Sequence, residues 1–234
     1  MEWIELVDFK KMLEESKTEE YKQRKEEQRK QEELEYQLIK QTVCFTGHRP
    51  QAKCMFGFNL NDERYKPLYK ELTRTIELCI NEEGITRFIS GGALGVDQIA
   101  FWLIHKLKDK YLDIKNIVAV PFKNQDKVWT EEQKYWYKKV LEKTDEIIFV
   151  DELNDFKYKT EGVPIGDYSR DKMQKRNEWM CDNSRIVIAV YDGSSKGGTR
   201  NCIYYARKMS KSVFRLFPQN NFELEISYGI YHNN

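Results

Sequence analysis

Three short runs of residues carry chemistry that a plain scaffold has no need of. Thr46-Gly47-His48-Arg49-Pro50 sets a glycine beside an imidazole and a guanidinium. The glycine lets a ligand approach the backbone, while His48 and Arg49 offer donors to phosphate or ribose oxygens, Arg49 with two prongs at once. Ser90-Gly91-Gly92-Ala93-Leu94-Gly95-Val96-Asp97 gathers three glycines immediately before a helical pattern. Such a turn exposes successive N–H groups at the positive end of a helix dipole, the arrangement that holds a phosphate. Asp192-Gly193-Ser194-Ser195-Lys196-Gly197-Gly198-Thr199-Arg200 repeats the device before another helical segment. A single glycine-rich run of this kind can also be a simple tight turn; two in one sheet strengthen the case for an anion held between two helix amino termini.

The elements that must position these runs are legible in the hydrophobic pattern. Near-continuous apolar segments at 43–46, 87–90, 117–121, 146–150, 186–191 and 212–216 read as buried parallel strands. Between them, Leu68, Leu72, Ile76, Cys79 and Ile80 recur at helical spacing, as do Ile99, Ala100, Leu103, Ile104 and Leu107. Further helices are expected around Trp136, Tyr137, Val140 and Leu141 and over 171–182. Alternating strands and helices define an α/β, Rossmann-like, mainly parallel sheet flanked by helices. In such a sheet ligands lie beyond the carboxyl ends of the strands, where all three runs fall.

Residues 1–41 differ in kind. They contain no glycine or proline from Trp3 onward, and Tyr21 is the one large apolar side chain between Glu14 and Glu33. A long solvated helix, a charged helical extension, is predicted, supported by pairs such as Glu20 with Arg24 and Glu26 with Lys30. Its ends carry apolar residues, Trp3, Ile4, Leu6, Val7, Phe9, Met12 and Leu13 on one side and Leu34, Tyr36, Leu38 and Ile39 on the other. The nucleotide-binding domain is placed at 42–218, and 219–234 reads as an edge strand or tail.

Composition narrows the class. A formal net charge of +1 supplies no electrostatic footprint for a nucleic-acid backbone, so nucleic acid is not expected as a partner. Five cysteines without a CxxC pair fit reduced thiols, and the amino terminus has no basic-then-apolar signal, so a cytoplasmic location with no membrane partner is expected. His48, His105 and His232 form no metal-ligand spacing with a cysteine, and no metal site is expected. The glycine run departs from GxGxxG and lacks the ribose-holding acid, which argues against a standard NAD site. No GxSxG elbow surrounds Ser90. Trp129, Tyr135, Trp136 and Tyr137 are read as helix core, with adenine stacking as the other use.

Taken with Arg176-Asn177-Glu178-Trp179-Met180, the three runs together resemble the SLOG superfamily, in its branch of bacterial and phage proteins typified by YpsA and also known as DUF1273. The resemblance spans roughly 42–218. It implies a pocket for a nucleotide, ADP-ribose or a related phosphorylated ligand, with no separate cofactor required. By position it implies that Thr46, Gly47, His48 and Arg49 line the pocket and that Ser90, Gly91, Gly92, Ala93 and Gly95 hold phosphate. Asp97, Arg176, Asn177, Asp192, Gly197, Gly198 and Thr199 complete the implied set. On their own terms, Asp97 also reads as a helix N-cap and Arg176 with Asn177 as a solvated helix face.

The phosphoribohydrolases of the same superfamily carry a PGGxGTxxE loop whose glutamate assists N-glycosidic cleavage. Here no proline precedes the glycines, and Cys202 stands where the glutamate belongs. Asp97 and Asp192 are the remaining carboxylates. The expected function is therefore binding, as a sensor or as a sponge of the kind a phage deploys against a host defence, with nucleotide N-glycosidase as the alternative. Homo-oligomers are common in the family, and the extension's apolar ends suit self-association.

Overall fold

The computed structural model describes residues 2–15 and 18–229, without the side chains of residues 2–7, 15 and 19. Two compact units emerge, Met1–Leu38 and Ile39–Asn234.

The first unit holds α1 (Glu2–Glu15) and most of α2 (Glu19–Lys40), two helices where the sequence predicts one. The local cause is Thr18, whose Oγ1 accepts from the Tyr21 N–H at 3.3 Å and so starts a new helix ahead of Glu19 and Glu20. Phe9, Met12, Leu13, Leu34, Tyr36 and Leu38 are exposed, whereas Trp3, Ile4, Leu6 and Val7 lie outside the described side chains.

The second unit is a seven-stranded sheet with helices on both faces. Its elements run β1 (Thr42–Gly47), α3 (Lys66–Asn81), β2 (Arg87–Ser90), α4 (Val96–Leu107), β3 (Lys115–Val120), α5 (Glu131–Lys143) and β4 (Glu146–Phe149). They continue through α6 (Arg170–Asp182), β5 (Ile186–Val190), α7 (Gly198–Lys208), β6 (Ser212–Phe217) and β7 (Glu223–Ser227). Strand order is β4-β3-β2-β1-β5-β6-β7, all neighbours parallel except the antiparallel β6–β7 pair. The chain winds outward from β1 in one direction through β4, then restarts at β5 on the other side. β1 therefore stands at the switch point of a doubly wound sheet, where crossovers diverge and leave a crevice. The carboxyl-terminal segment read as strand or tail supplies β7 as an edge strand; residues 230–234, with His232, lie outside the described residues.

Side chains of β1 alternate between the two faces. Val43 and Phe45 join Leu68, Leu72 and Ile76 of α3 and Ile99, Ala100 and Ile104 of α4 in one core. Cys44 joins Met180 and Cys181 of α6 and Cys202, Ile203 and Ala206 of α7 in the other. A smaller cluster, Phe101, Val118, Val120 and Val140, seats α5 beside α4. Pro67 occupies the first turn of α3, where its missing N–H costs nothing.

Candidate functional site

At the carboxyl edge of the sheet, the loops after β1, β2 and β5 meet. Gly47 sits against Val96, so close that a Cβ there would fall 2.5 Å from the valine side chain. Gly95 packs on the backbone of His48 and on Pro50, with φ at +98°. A side chain at either glycine would wedge apart the β1 and β2 loops. His48 then reaches the β5 loop. Its Nε2 lies 2.9 Å from Asp192 Oδ1 and 3.1 Å from the Asp192 N–H. A neutral imidazole accepts that N–H at Nε2; a protonated one donates to the carboxylate instead. The His48 ring also stacks on Tyr191 at 5.8 Å between centroids.

Burial pushes the Asp192 carboxyl upward, but the Ser194 N–H and hydroxyl and the nearby His48 outweigh it and hold the group below the ordinary carboxylate range. Cys54, from the loop that follows β1, comes to the same spot. Burial and the Asp192 charge push its thiol up to about 11.

The two glycine-rich turns prove different in kind. Gly91, Gly92, Ala93 and Gly95 are buried, and their polar groups are largely used internally. The Ala93 N–H donates to Asp97 Oδ2 at 3.3 Å, the Gly92 carbonyl accepts from Gln98 at 3.3 Å, and the Gly91 carbonyl accepts from Gln125 at 3.4 Å. Beneath Gly91 runs Arg176, buried on α6, 3.7 Å from Asp97 and donating to the Ala119 carbonyl at 3.4 Å. Asp97 is thus no N-cap: Gly95 takes that place, and the Asp97 carboxylate turns inward from the first turn of α4. Nor is Arg176 on a solvated face. Burial raises the Asp97 pKa against the opposing pull of Arg176, the Ala93 N–H, Arg49 and the Gly91 N–H.

The turn before α7 is open. Gly197 caps the helix with φ at +117°, and nothing lies within 4 Å of a Cβ built on Gly197 or Gly198. No acidic side chain stands in the first turn of α7. Gly197 and Gly198 are exposed, and free N–H groups at such a helix start are of the kind that can hold an anion.

The remaining candidates fall around this frame. Arg49 is exposed at the rim, Thr46 and Thr199 are buried, and Asn177 is half-buried next to Arg176. The Ser90 hydroxyl, at the end of β2, is buried without a hydrogen-bond partner. Tyr137 is buried and bonds Gln125 at 2.6 Å, while Trp136 packs edge-on against Trp102; both belong to the α4–α5 side. Cys54, Gln98 and Gln125 escaped the reading of the sequence. Cys54 and Gln125 left one faint signal, their places in the loops after β1 and β3. A cavity of about 280 Å³ is lined by Lys66, Pro67, Lys70, Glu71 and Asn221, none of them a candidate residue.

Fold and site together define a Rossmann-like α/β protein with glycine-rich strand-to-helix turns gathered at its switch point. The model of the YpsA family, described as the YspA SLOG family, matches residues 43–217, and the chain belongs to that family. It is 54% identical over 165 residues to the uncharacterized SPbeta prophage-derived protein YoqJ of Bacillus subtilis (strain 168), covering 70% of this chain and 95% of that protein. A UPF0398 protein of Bacillus thuringiensis (strain Al Hakam) is 25% identical over 182 residues, covering 76% of this chain and 91% of that one.

Among solved structures, DNA processing protein A from Streptococcus pneumoniae aligns with a TM-score of 0.48 at 18% identity, over 74% of this chain and 49% of that one. This chain therefore spans about half the pneumococcal protein. DNA processing protein A from Helicobacter pylori, studied for that protein's single-stranded DNA binding mode, aligns at 0.45 and 20% identity, over 78% and 71%. The expectation against nucleic acid rests on net charge alone. No helix of the described residues is long and apolar enough to cross a membrane.

Proposed function

We propose that this chain binds a nucleotide or ADP-ribose-type phosphorylated ligand at the carboxyl edge of its sheet and acts by sensing or sequestering it. The observation that carries the reading is the open, glycine-capped amino terminus of α7 beside the His48–Asp192 bridge, at the switch point of the sheet. A phosphate seated on the α7 N–H groups meets partial positive charge, and exposed Arg49 at the rim adds a full one. The prophage origin of the Bacillus subtilis relative supports a role in the contest between phage and host. Self-association through the exposed apolar residues of α1 and α2 belongs to the same reading.

Cleavage of the ligand is the second reading, favoured by one feature, the Asp192 carboxylate kept ionised at the same edge. Binding is preferred because the first turn of α7 supplies no acid. The test is calorimetric titration with ADP-ribose, nucleoside monophosphates and a single-stranded oligonucleotide, followed by chromatography of the mixtures. Saturable binding of an intact nucleotide, weakened by Arg49→Ala, supports the proposal. Released base supports cleavage. Binding of the oligonucleotide alone overturns both.

A further inference from the structure

The His48–Asp192 bridge has a third member. One ligand atom from each of His48, Cys54 and Asp192 lies within 4.8 Å of the other two, and all three residues are half-buried. We propose that His48, Cys54 and Asp192 form a zinc-class site for a divalent cation, with a fourth coordination position open toward the ligand edge.

Three observations carry it. The donor set is imidazole nitrogen, thiol sulfur and carboxylate oxygen, which is the set zinc prefers and magnesium or calcium does not. The spacing is compatible: tetrahedral bonds of about 2.0–2.3 Å set ligand atoms about 3.3–3.6 Å apart, and the three atoms here stand no more than 4.8 Å from one another. His48 Nε2 and Asp192 Oδ1, at 2.9 Å, would move slightly apart.

The loop is also built to bring Cys54 back. Backbone bonds from Ala52 to Arg49 at 3.0 Å, Met55 to Ala52 at 2.9 Å and Gly57 to Pro50 at 3.1 Å fold 49–57 into successive turns, anchored by buried Met55. A preorganised loop loses little freedom on binding a metal. Spacing along the chain could not show this site, because His48 and Asp192 are 144 residues apart.

Three protein ligands with an open fourth position are the pattern of zinc sites that bind or activate a further group, in contrast with closed four-ligand structural sites. At this edge the further group would be a water or an oxygen of a phosphorylated ligand. The site does not depend on the nucleotide reading, since the metal alone tests it.

The experiment uses the full-length protein, kept reduced with a phosphine, stripped with a chelator and titrated with Co²⁺, then with Zn²⁺ in competition. A thiolate-to-cobalt charge-transfer band with tetrahedral d–d absorption, abolished by stoichiometric Zn²⁺, is expected. Cys54→Ser removes the charge-transfer band. His48→Gln and Asp192→Asn each weaken Zn²⁺ binding by more than about 100-fold, beyond the 10–100-fold typical of residues that merely orient a ligand. Cys181→Ser serves as a control, because Cys181 and Cys202 lie 3.5 Å apart in the core and could themselves hold a soft metal. It leaves the band intact. An absent band in the folded wild type, its folding confirmed by circular dichroism, reduces the trio to an internal hydrogen-bonded cluster and overturns the proposal. So does a band that survives Cys54→Ser or vanishes in Cys181→Ser.

Discussion

Gly91 offers a sharp test of how the β2 turn is built. Its φ is unexceptional, so Gly91→Ala introduces no backbone strain and acts through space alone. The added methyl would stand 1.4 Å from Arg176 Nη1, 2.3 Å from its Cζ and 2.6 Å from Asp97 Oδ2. An exposed arginine would swing away at little cost, but this one is buried, with Asp97 and the Ala119 carbonyl as its partners. If the core flexes around the methyl, overpacking costs about 1–3 kcal/mol; if the Arg176–Asp97 pair is forced apart, the loss is about 3–5 kcal/mol. The overlap is too deep for flexing, so the larger figure applies. With a urea slope of about 2 kcal/mol/M, a loss near 4 kcal/mol lowers the unfolding midpoint by about 2 M. The double variant Gly91→Ala/Arg176→Met separates the causes, because the methyl clash disappears when the guanidinium is absent. The two substitutions should therefore be strongly non-additive, by about 1 kcal/mol or more. A loss below about 1 kcal/mol for Gly91→Ala, or strict additivity, refutes the view that Arg176 is fixed beneath the turn.

Gly198→Asp makes a contrasting pair of effects at the open turn, where nothing crowds the new side chain. A carboxylate at the start of α7 stabilises the helix by about 0.3–1 kcal/mol yet repels a phosphate, so thermal stability rises slightly while affinity for the nucleotide falls about tenfold or more. Unchanged affinity in calorimetry removes phosphate from the α7 amino terminus. Asp97 predicts a pH dependence: its folded pKa is raised above the unfolded value near 3.9, so its contribution is fully present below pH 4 and is lost as pH rises through the folded pKa. Urea unfolding at a series of pH values should show wild type losing ground to Asp97→Asn from pH 4 upward; a difference that moves the other way contradicts the assignment. Deleting residues 1–40 is expected to lower the oligomeric mass seen by light scattering, and an unchanged mass places self-association elsewhere.

The parallel sheet was legible because buried strands leave near-continuous apolar runs, as β3 and β5 do most clearly. β7 was legible only as an edge strand or tail, since Glu223, Glu225 and Ser227 dilute its pattern. The start of α2 was hidden because it is marked by one capping residue, Thr18, within a largely charged segment. Of the candidate site, the sequence located the three loops but not their internal chemistry. Which glycine run lies open depends on what packs beneath it. Arg176 fills the space under Gly91, while nothing approaches Gly197 and Gly198, and neither fact is written in the local pattern.

The same limit explains Cys54. A residue six positions past His48 acquires meaning only when β5, hydrogen-bonded alongside β1, delivers Asp192 to the same place. The switch point is therefore more than a crevice in the sheet. It is where segments 144 residues apart in sequence first share an environment, and there the chain sets an imidazole, a carboxylate and a thiol beside an exposed helix terminus. The His48–Asp192 bridge also ties the β1 and β5 loops together, so metal titration is what separates a ligand-holding corner from a purely structural one.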